Sequence, residues 1–308
     1  MIPRIGITVP TPGQAMELEV LLDTFERAEA LGLQSAWVPN ITSFDALTVL
    51  ALAGRRTRRI TLGSFVVPTY PRHPAAMAQQ ALTVQAACGG RLVLGIGLSH
   101  RVTIEERLGL DYTHPLRHMR EYLLCLTALL SGQEVSFQGE EFRLNGYRLT
   151  VPGAAPPPIL VAALGPRMLQ LAGRLAAGTA IWLGGPRYLA EHVIPTIGQA
   201  ARAAGRPAPR VLVSVPVCVT ERVDAVRQAA AVAFARYGQL PSYRAILDKE
   251  GAAGPADVAL IGPEPEVQRR LEKLAEAGAT DFAAAIFTPP GEDAERTWRF
   301  LQTSASGA

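Results

Sequence analysis

Residues 91–100, Arg-Leu-Val-Leu-Gly-Ile-Gly-Leu-Ser-His, set a hydroxyl and an imidazole directly after an apolar run broken by two glycines. The run reads as a short buried strand ending in a glycine turn. Glycine lets the backbone approach a ligand closely. Ser99 supplies a donor or an acceptor. An imidazole titrates near neutrality, so His100 can give or take a proton at working pH. A strand ending on such groups is how an α/β barrel builds an active site. The plainer reading is a tight turn followed by a surface histidine.

A second segment, Ala163-Leu164-Gly165-Pro166-Arg167-Met168, reads as the turn between a strand and a helix. Proline at the first helical position leaves the other free N–H groups pointing outward. A helix N-terminus beside Arg167 is an anion site. An ordinary helix start with a solvated arginine is the competing reading. His114 and His118 stand four apart, but Pro115 starts a helix between them and no third metal ligand lies near. Both read as surface or packing histidines, and no metal site is assigned.

These groups need a scaffold, and the chain supplies one by alternation. Strand-like runs at Ile5–Val9, Gln34–Val38, Ile60–Val67, Arg91–Ile96, Ile159–Ala163, Thr179–Leu183, Val211–Val217 and Phe282–Phe287 are separated by segments of helical period. The helices are expected at Gln14–Leu31, Asp45–Ala53, Pro74–Ala87, Pro115–Leu130, Arg167–Ala176, Tyr188–Ala204, Val223–Tyr237 and Glu264–Ala277. This rhythm predicts one (β/α)8 TIM barrel over residues 1–308, with two insertions. The first, about 131–157, carries a hairpin after the fourth helix, Glu134–Phe137 with Glu141–Leu144, turning at Gln138-Gly139-Glu140. The second, about 239–262, holds extra helices and loops before the eighth helix and ends in the apolar run Val258–Ile261. The first βα turn, Pro10-Thr11-Pro12-Gly13, is not a dinucleotide fingerprint, and no P-loop is present.

Composition bounds the partners. The net charge is +3 in 308 residues, which argues for neither nucleic acid nor a membrane surface. The basic run Arg55-Arg56-Thr57-Arg58-Arg59 reads as a solvated loop. Three widely spaced cysteines give no disulfide framework, and no apolar run approaches the roughly 20 residues that span a bilayer. The N-terminus shows no signal-peptide pattern, so a cytoplasmic protein is expected.

Several segments together resemble the bacterial luciferase-like superfamily. They are Ile60–Pro68 followed by Arg72-His73-Pro74, Trp37 with Asp45-Ala46-Leu47-Thr48, Arg91–Gly97, and Leu160–Met168 followed by Ala172-Gly173 and Gly178. Gly97–His100 and His118-Met119-Arg120-Glu121-Tyr122 resemble its coenzyme F420-dependent oxidoreductase branch. The resemblance implies a TIM barrel with an insertion. It also implies a non-proline cis peptide at Phe65-Val66, behind the central ring of the deazaflavin. Leu98, Ser99 and His100 would lie against that ring. The turn Ala163–Met168 would hold the cofactor's phosphate, largely through backbone N–H groups, and Pro68 and Trp182 would wall the substrate pocket. Two departures stand out. Deazaflavin sugar-phosphate dehydrogenases carry Asp-His where this chain has Pro39-Asn40, and a carboxylate where it has His100. The lysines that would bind a sugar phosphate are also missing, with Gly185 at one such position.

The expected activity is hydride transfer between coenzyme F420 and a small, largely apolar molecule, by reduction of a C=C, C=N or C=O bond or the reverse. His100 would manage the proton. Asn40 would donate to the cofactor or substrate, or is simply a loop residue. The alternatives are an FMN-dependent monooxygenase of the same superfamily and a non-catalytic cofactor-binding barrel. Residues 239–262 and the loops after strands four and six are expected to shape the pocket. Ala-rich faces such as Ala75-Ala76 to Ala86-Ala87 suggest a homodimer.

Overall fold

The computed structural model describes residues 3–10 and 16–307. The first βα turn beyond Pro10 and the expected helix start at Gln14 lie outside the described residues. The chain runs β1 (Arg4–Thr8), α1 (Leu18–Ala30), β2 (Ser35–Val38), α2 (Ala46–Arg56), β3 (Thr61–Ser64), β4 (Val67–Pro68), α3 (Pro74–Ala87) and β5 (Leu92–Gly97). A π-helical turn, Val102–Arg107, precedes α4 (Pro115–Leu130), the hairpin β6 (Val135–Gln138) and β7 (Arg143–Tyr147), then β8 (Ile159–Val161), α5 (Pro166–Leu175) and β9 (Gly178–Trp182). Next come α6 (Pro186–Tyr188), a second π segment (Leu189–Val193), α7 (Ile194–Ala203) and β10 (Arg210–Val219). The last part holds α8 (Val223–Ala233), α9 (Ala235–Gln239), α10 (Pro241–Glu250), α11 (Pro255–Val258), β11 (Leu260–Gly262), α12 (Glu264–Glu276), β12 (Asp281–Ile286) and α13 (Ala294–Ser306).

The parallel ladder runs β1-β2-β3-β5-β8-β9-β10-β12 and closes because β12 pairs back to β1. With β3 and β4 as two halves of one strand, this is an eight-stranded TIM barrel. The third strand, expected unbroken over Ile60–Val67, is split at Phe65-Val66, and that peptide bond is cis. The expected helix Tyr188–Ala204 is three segments joined through a π turn, and Val223–Tyr237 breaks at Phe234. The hairpin turns at Gly139–Phe142, where the Gly139 amide donates to the Phe142 carbonyl at 2.9 Å. The buried Glu121 carboxylate of α4 accepts from the amides of Glu140, Glu141 and Phe142, which pins the hairpin to the barrel. Helix α12 belongs to the seventh βα unit. The eighth is completed by α13, whose amphipathic pattern the sequence reading left unassigned. The apolar run expected at Val258–Ile261 contains β11, which pairs with the C-terminal end of β10.

Alternation along the strands sorts residues inside and outside the barrel. Inside, Trp37 packs with Val93, Leu160, Ala180, Leu212 and Ala283. A Cβ on Gly63 would fall 2.1 Å from the Trp37 ring, so glycine there makes room for the indole. At the N-terminal end of the barrel, buried Asp281 is held by Arg4 and Arg210, both at 2.7 Å. Burial would raise its pKa, but the Arg210 hydrogen bond and charge, with Thr280 and Arg4, hold it lowered. Toward the other end Thr8 and Ser214 share a buried hydroxyl hydrogen bond of 3.0 Å, and on neighbouring strands Gly97 lies against Ala162. The Asp281 ion pairs therefore fill the N-terminal end of the barrel. Among the described residues no helix is long and apolar enough to cross a membrane.

Candidate active site

Three neighbouring strands deliver the expected groups to the C-terminal end of the barrel. Val67 pairs with Ile96 and Pro68 with Gly97, so the Phe65-Val66 bulge lies one strand from the turn carrying Ser99 and His100. Ile96 pairs with Val161, and the Ala162 amide donates to the Ile96 carbonyl at 2.8 Å, which places the turn at Ala163–Met168 on the far side. Adjacent strands are about 4.8 Å apart, so these elements share one floor. A Cβ on Gly97 would lie 2.6 Å from Val66 Cγ2 and 3.1 Å from Ala162 Cβ, so glycine is what permits the close approach.

The turn after β5 is held in an uncommon conformation. Ser99 has φ +63°, in the left-handed region that non-glycine residues rarely adopt. The Tyr112 hydroxyl reaches the Ser99 carbonyl at 3.5 Å, and the His100 carbonyl accepts from Thr103 and Ile104, which start the π turn. His100 is partly buried with its ring 5.8 Å from that of Tyr243. Burial, and then the Arg236 charge, lower its pKa. The imidazole is therefore neutral at pH 7 and able to accept a proton.

Helix α5 begins at Gly165 with no side-chain cap, and Gly165, Pro166 and Arg167 are exposed. A Cβ on Gly165 would meet nothing within 4 Å. Arg167 makes no ion pair among the described residues, so uncapped amides and an exposed cation lie at the same helix start. This donor set suits an anion such as a phosphodiester. Tyr188 donates its hydroxyl to the Leu164 carbonyl at 2.6 Å and fixes the turn. Leu98, Leu164 and Met168 are half-buried against the core.

Asn40 sits beyond β2, where its Oδ1 accepts from the Ala46 amide at 2.9 Å and steadies the start of α2, leaving the amide NH2 as its remaining donor. Trp182 ends β9, is 6% exposed, and packs edge-on against Phe234 and Tyr237 at about 6 Å. Pro68 is half-buried beside Thr69, whose hydroxyl meets His118 Nε2 at 3.0 Å. His118 is buried and stacked on Tyr70 at 3.9 Å, a packing role behind the site, and His114 is exposed before α4. Sequence reasoning missed Tyr237, Tyr243, Arg236 and the Thr8–Ser214 pair. Tyr237 ends an expected helix of the repeat and Tyr243 lies in the second insertion, and the hydroxyl pair is joined only by barrel closure. A separate groove of about 710 Å³, lined by Glu264, Arg296 and Phe300, lies between the outer helices α12 and α13, away from the strand ends.

The sequence pattern of the luciferase-like monooxygenase family matches residues 4–297. A 5,10-methylenetetrahydromethanopterin reductase of Archaeoglobus fulgidus is 31% identical across 97% of this chain and 97% of its own. Among solved structures, the coenzyme F420-dependent tetrahydromethanopterin reductase of Methanopyrus kandleri superposes with a TM-score of 0.83 at 20% identity, covering 100% of this chain and 99% of that one. An F420-dependent secondary alcohol dehydrogenase, solved with an F420–acetone adduct, gives 0.82 at 19% identity over 99% of both chains.

Proposed function

The chain belongs to the luciferase-like monooxygenase family of oxidoreductases, and from that premise we propose that it is a coenzyme F420-dependent enzyme moving hydride to or from a small, largely apolar molecule. The observation that carries this reading is the lateral order across three strand ends: apolar bulge, partly buried imidazole, uncapped helix start. An F420-dependent hydroxymycolic acid dehydrogenase of Mycobacterium tuberculosis, 31% identical over 65% of this chain, supports the deazaflavin, while FMN-bound monooxygenases share the fold.

The bound deazaflavin supplies a carbon that gives or takes hydride. The amides at the start of α5, with Arg167, would hold the phosphate. Phe65 and Val66 at the bulge would back the ring, and Leu98 and Ser99 would pack against it. Neutral His100 takes the proton of an alcohol during oxidation, and its protonated form returns it in the reverse direction. Asn40 keeps one donor for the ring or substrate. Pro68 and Trp182 close the substrate side.

Titration with F420 and, separately, FMN tests the cofactor. Quenching by F420 at micromolar concentration with little response to FMN is expected. Preference for FMN moves the enzyme to the monooxygenase reading, and binding of neither removes the proposal.

The reading extends to assembly and compartment. Helix α3 holds no charged residue over its whole length, and Ala76, Gln79, Thr83 and Ala86 are exposed along one face. An uncharged face of small and polar residues can be covered by a partner without burying a charge. A second copy packed on α3 fits that face. Three buried free thiols suit a reducing compartment such as the cytoplasm.

A further inference from the structure

A chain of six rings crosses the mouth of the barrel from His100. Its steps are Tyr243 at 5.8 Å, Tyr237 at 5.1 Å, Trp182 at 5.9 Å, Phe234 at 6.0 Å and Phe287 at 5.2 Å. His100, Trp182 and Phe287 come from strand ends. Phe234, Tyr237 and Tyr243 come from the α8–α10 segment, which is extra to the βα repeat.

This wall is firmly built. The Glu250 carboxylate at the end of α10 accepts from the Tyr188 amide at 2.7 Å and the Arg187 amide at 3.4 Å, which fastens α10 to the turn after β9. It fills that turn so closely that a Cβ on Gly185 would lie 2.1 Å from it. Arg244 of α10 donates to the carbonyls of Ala252 and Ala253 and fixes the other end.

The wall is built of uncharged rings, tilted or edge-on to one another, and is short of hydrogen bonds. Trp182 Nε1 is buried without a partner. The Tyr237 and Tyr243 hydroxyls make no hydrogen bond to the protein among the described residues. Burial raises both phenol pKa values, so each stays a neutral donor. Two cations stand near His100, both exposed to solvent: Arg236, and the adjacent Arg101, which pairs with Glu105 at 2.8 Å. Burying an unpaired charge against such a wall is costly, whereas packing a ring against it, by face or by edge, is favourable.

We propose that this wall selects the substrate: an uncharged carbonyl compound carrying an aromatic ring, packed face or edge against Tyr237, Tyr243 and Trp182, with its oxygen hydrogen-bonded by Tyr243 beside His100. The inference rests on the hydride-transfer reading above. The carbonyl carbon accepts hydride from the reduced deazaflavin, the C=O π pair moves to oxygen, and the protonated His100 supplies the proton. The product is the alcohol, the deazaflavin leaves oxidised, and Tyr243 keeps its proton throughout.

Ligand-detected NMR on the whole protein would compare acetophenone with cyclohexyl methyl ketone, which lacks the flat ring, and with benzoate, which carries a charge. Acetophenone is expected to bind about 5-fold tighter than either. Tyr243→Phe, which keeps the ring, should weaken acetophenone about 3- to 10-fold and leave ethylbenzene unchanged. In turnover the loss should fall mainly on KM. Equal or tighter binding of either comparison compound, no effect of Tyr243→Phe, or no binding of acetophenone overturns the assignment. F420 titration of the same sample separates the two readings: loss of F420 binding with the acetophenone preference intact overturns the cofactor and leaves the wall.

Discussion

Ser64 and Gly95 hold each other across two neighbouring strands. The Ser64 hydroxyl donates to the Gly95 carbonyl at 2.8 Å and accepts from the Gly95 amide at 2.9 Å, and Ser64 is fully buried. The exchange satisfies both backbone groups of Gly95 where β3 leaves the ladder and the bulge begins. A Cβ on Gly95 would lie 2.0 Å from the Ser64 carbonyl, so the pair admits no other residue there. Ser64→Ala would strand a buried donor and an acceptor, at a cost of about 2–4 kcal/mol. Chemical denaturation measures this, and cofactor affinity should fall with it because the bulge loses its tie.

His100→Ala should lower kcat by roughly 10²–10⁴ if the imidazole handles the proton. The pH profile gives a second readout. Its lowered pKa means alcohol oxidation should rise with pH through an inflection below 6.5 and then stay level. Arg236→Ala removes a cation that disfavours the imidazolium, so that inflection should move upward. An unmoved inflection would separate His100 from the profile.

His118 should make the fold acid-sensitive. Burial lowers its pKa to about 4 from an ordinary 6.5. The unfolded chain therefore takes up a proton first as pH falls, and stability drops between about 6.5 and 4. Above that window both states are neutral and the term vanishes. His118→Gln should flatten this part of the profile of Tm against pH.

Arg167→Ala should weaken the anionic cofactor about 3- to 10-fold, and the loss should shrink as salt rises because Arg167 is exposed. An equal loss at every ionic strength would place the effect in the local backbone instead.

Thr83→Glu would put a charge in the middle of the uncharged α3 face. Sedimentation should show a dimer for the unaltered chain and a monomer for the variant. A monomer in both would leave the α3 face without a partner copy.

The repeat was legible because strand and helix write different periods. Pro74–Ala87 and Pro115–Leu130 have the ends that their prolines and flanking polar residues imply. The glycine turn before His100 and the Gly-Pro start of α5 were readable for the same local reason. Residues after strand ends share one face in any barrel, so Asn40, Pro68, Leu98–His100 and Ala163–Arg167 followed from the repeat, whereas Phe65, Val66, Met168 and Trp182 came from the family resemblance.

Other features required the closed chain. Residues 206 apart, Thr8 and Ser214 meet only because the sheet closes into a barrel. Tyr237 ends an expected helix of the repeat and Tyr243 lies in the second insertion, so their approach to Trp182 and His100 is set by how α9 and α10 fold back over the barrel. Glu250 reads as a surface acid until the turn after β9 is placed against it. The sequence by itself determined the barrel, the strand ends and the imidazole, because these depend on local period and local turns. Only the tertiary structure decided what surrounds that imidazole, because those contacts join segments far apart in the chain.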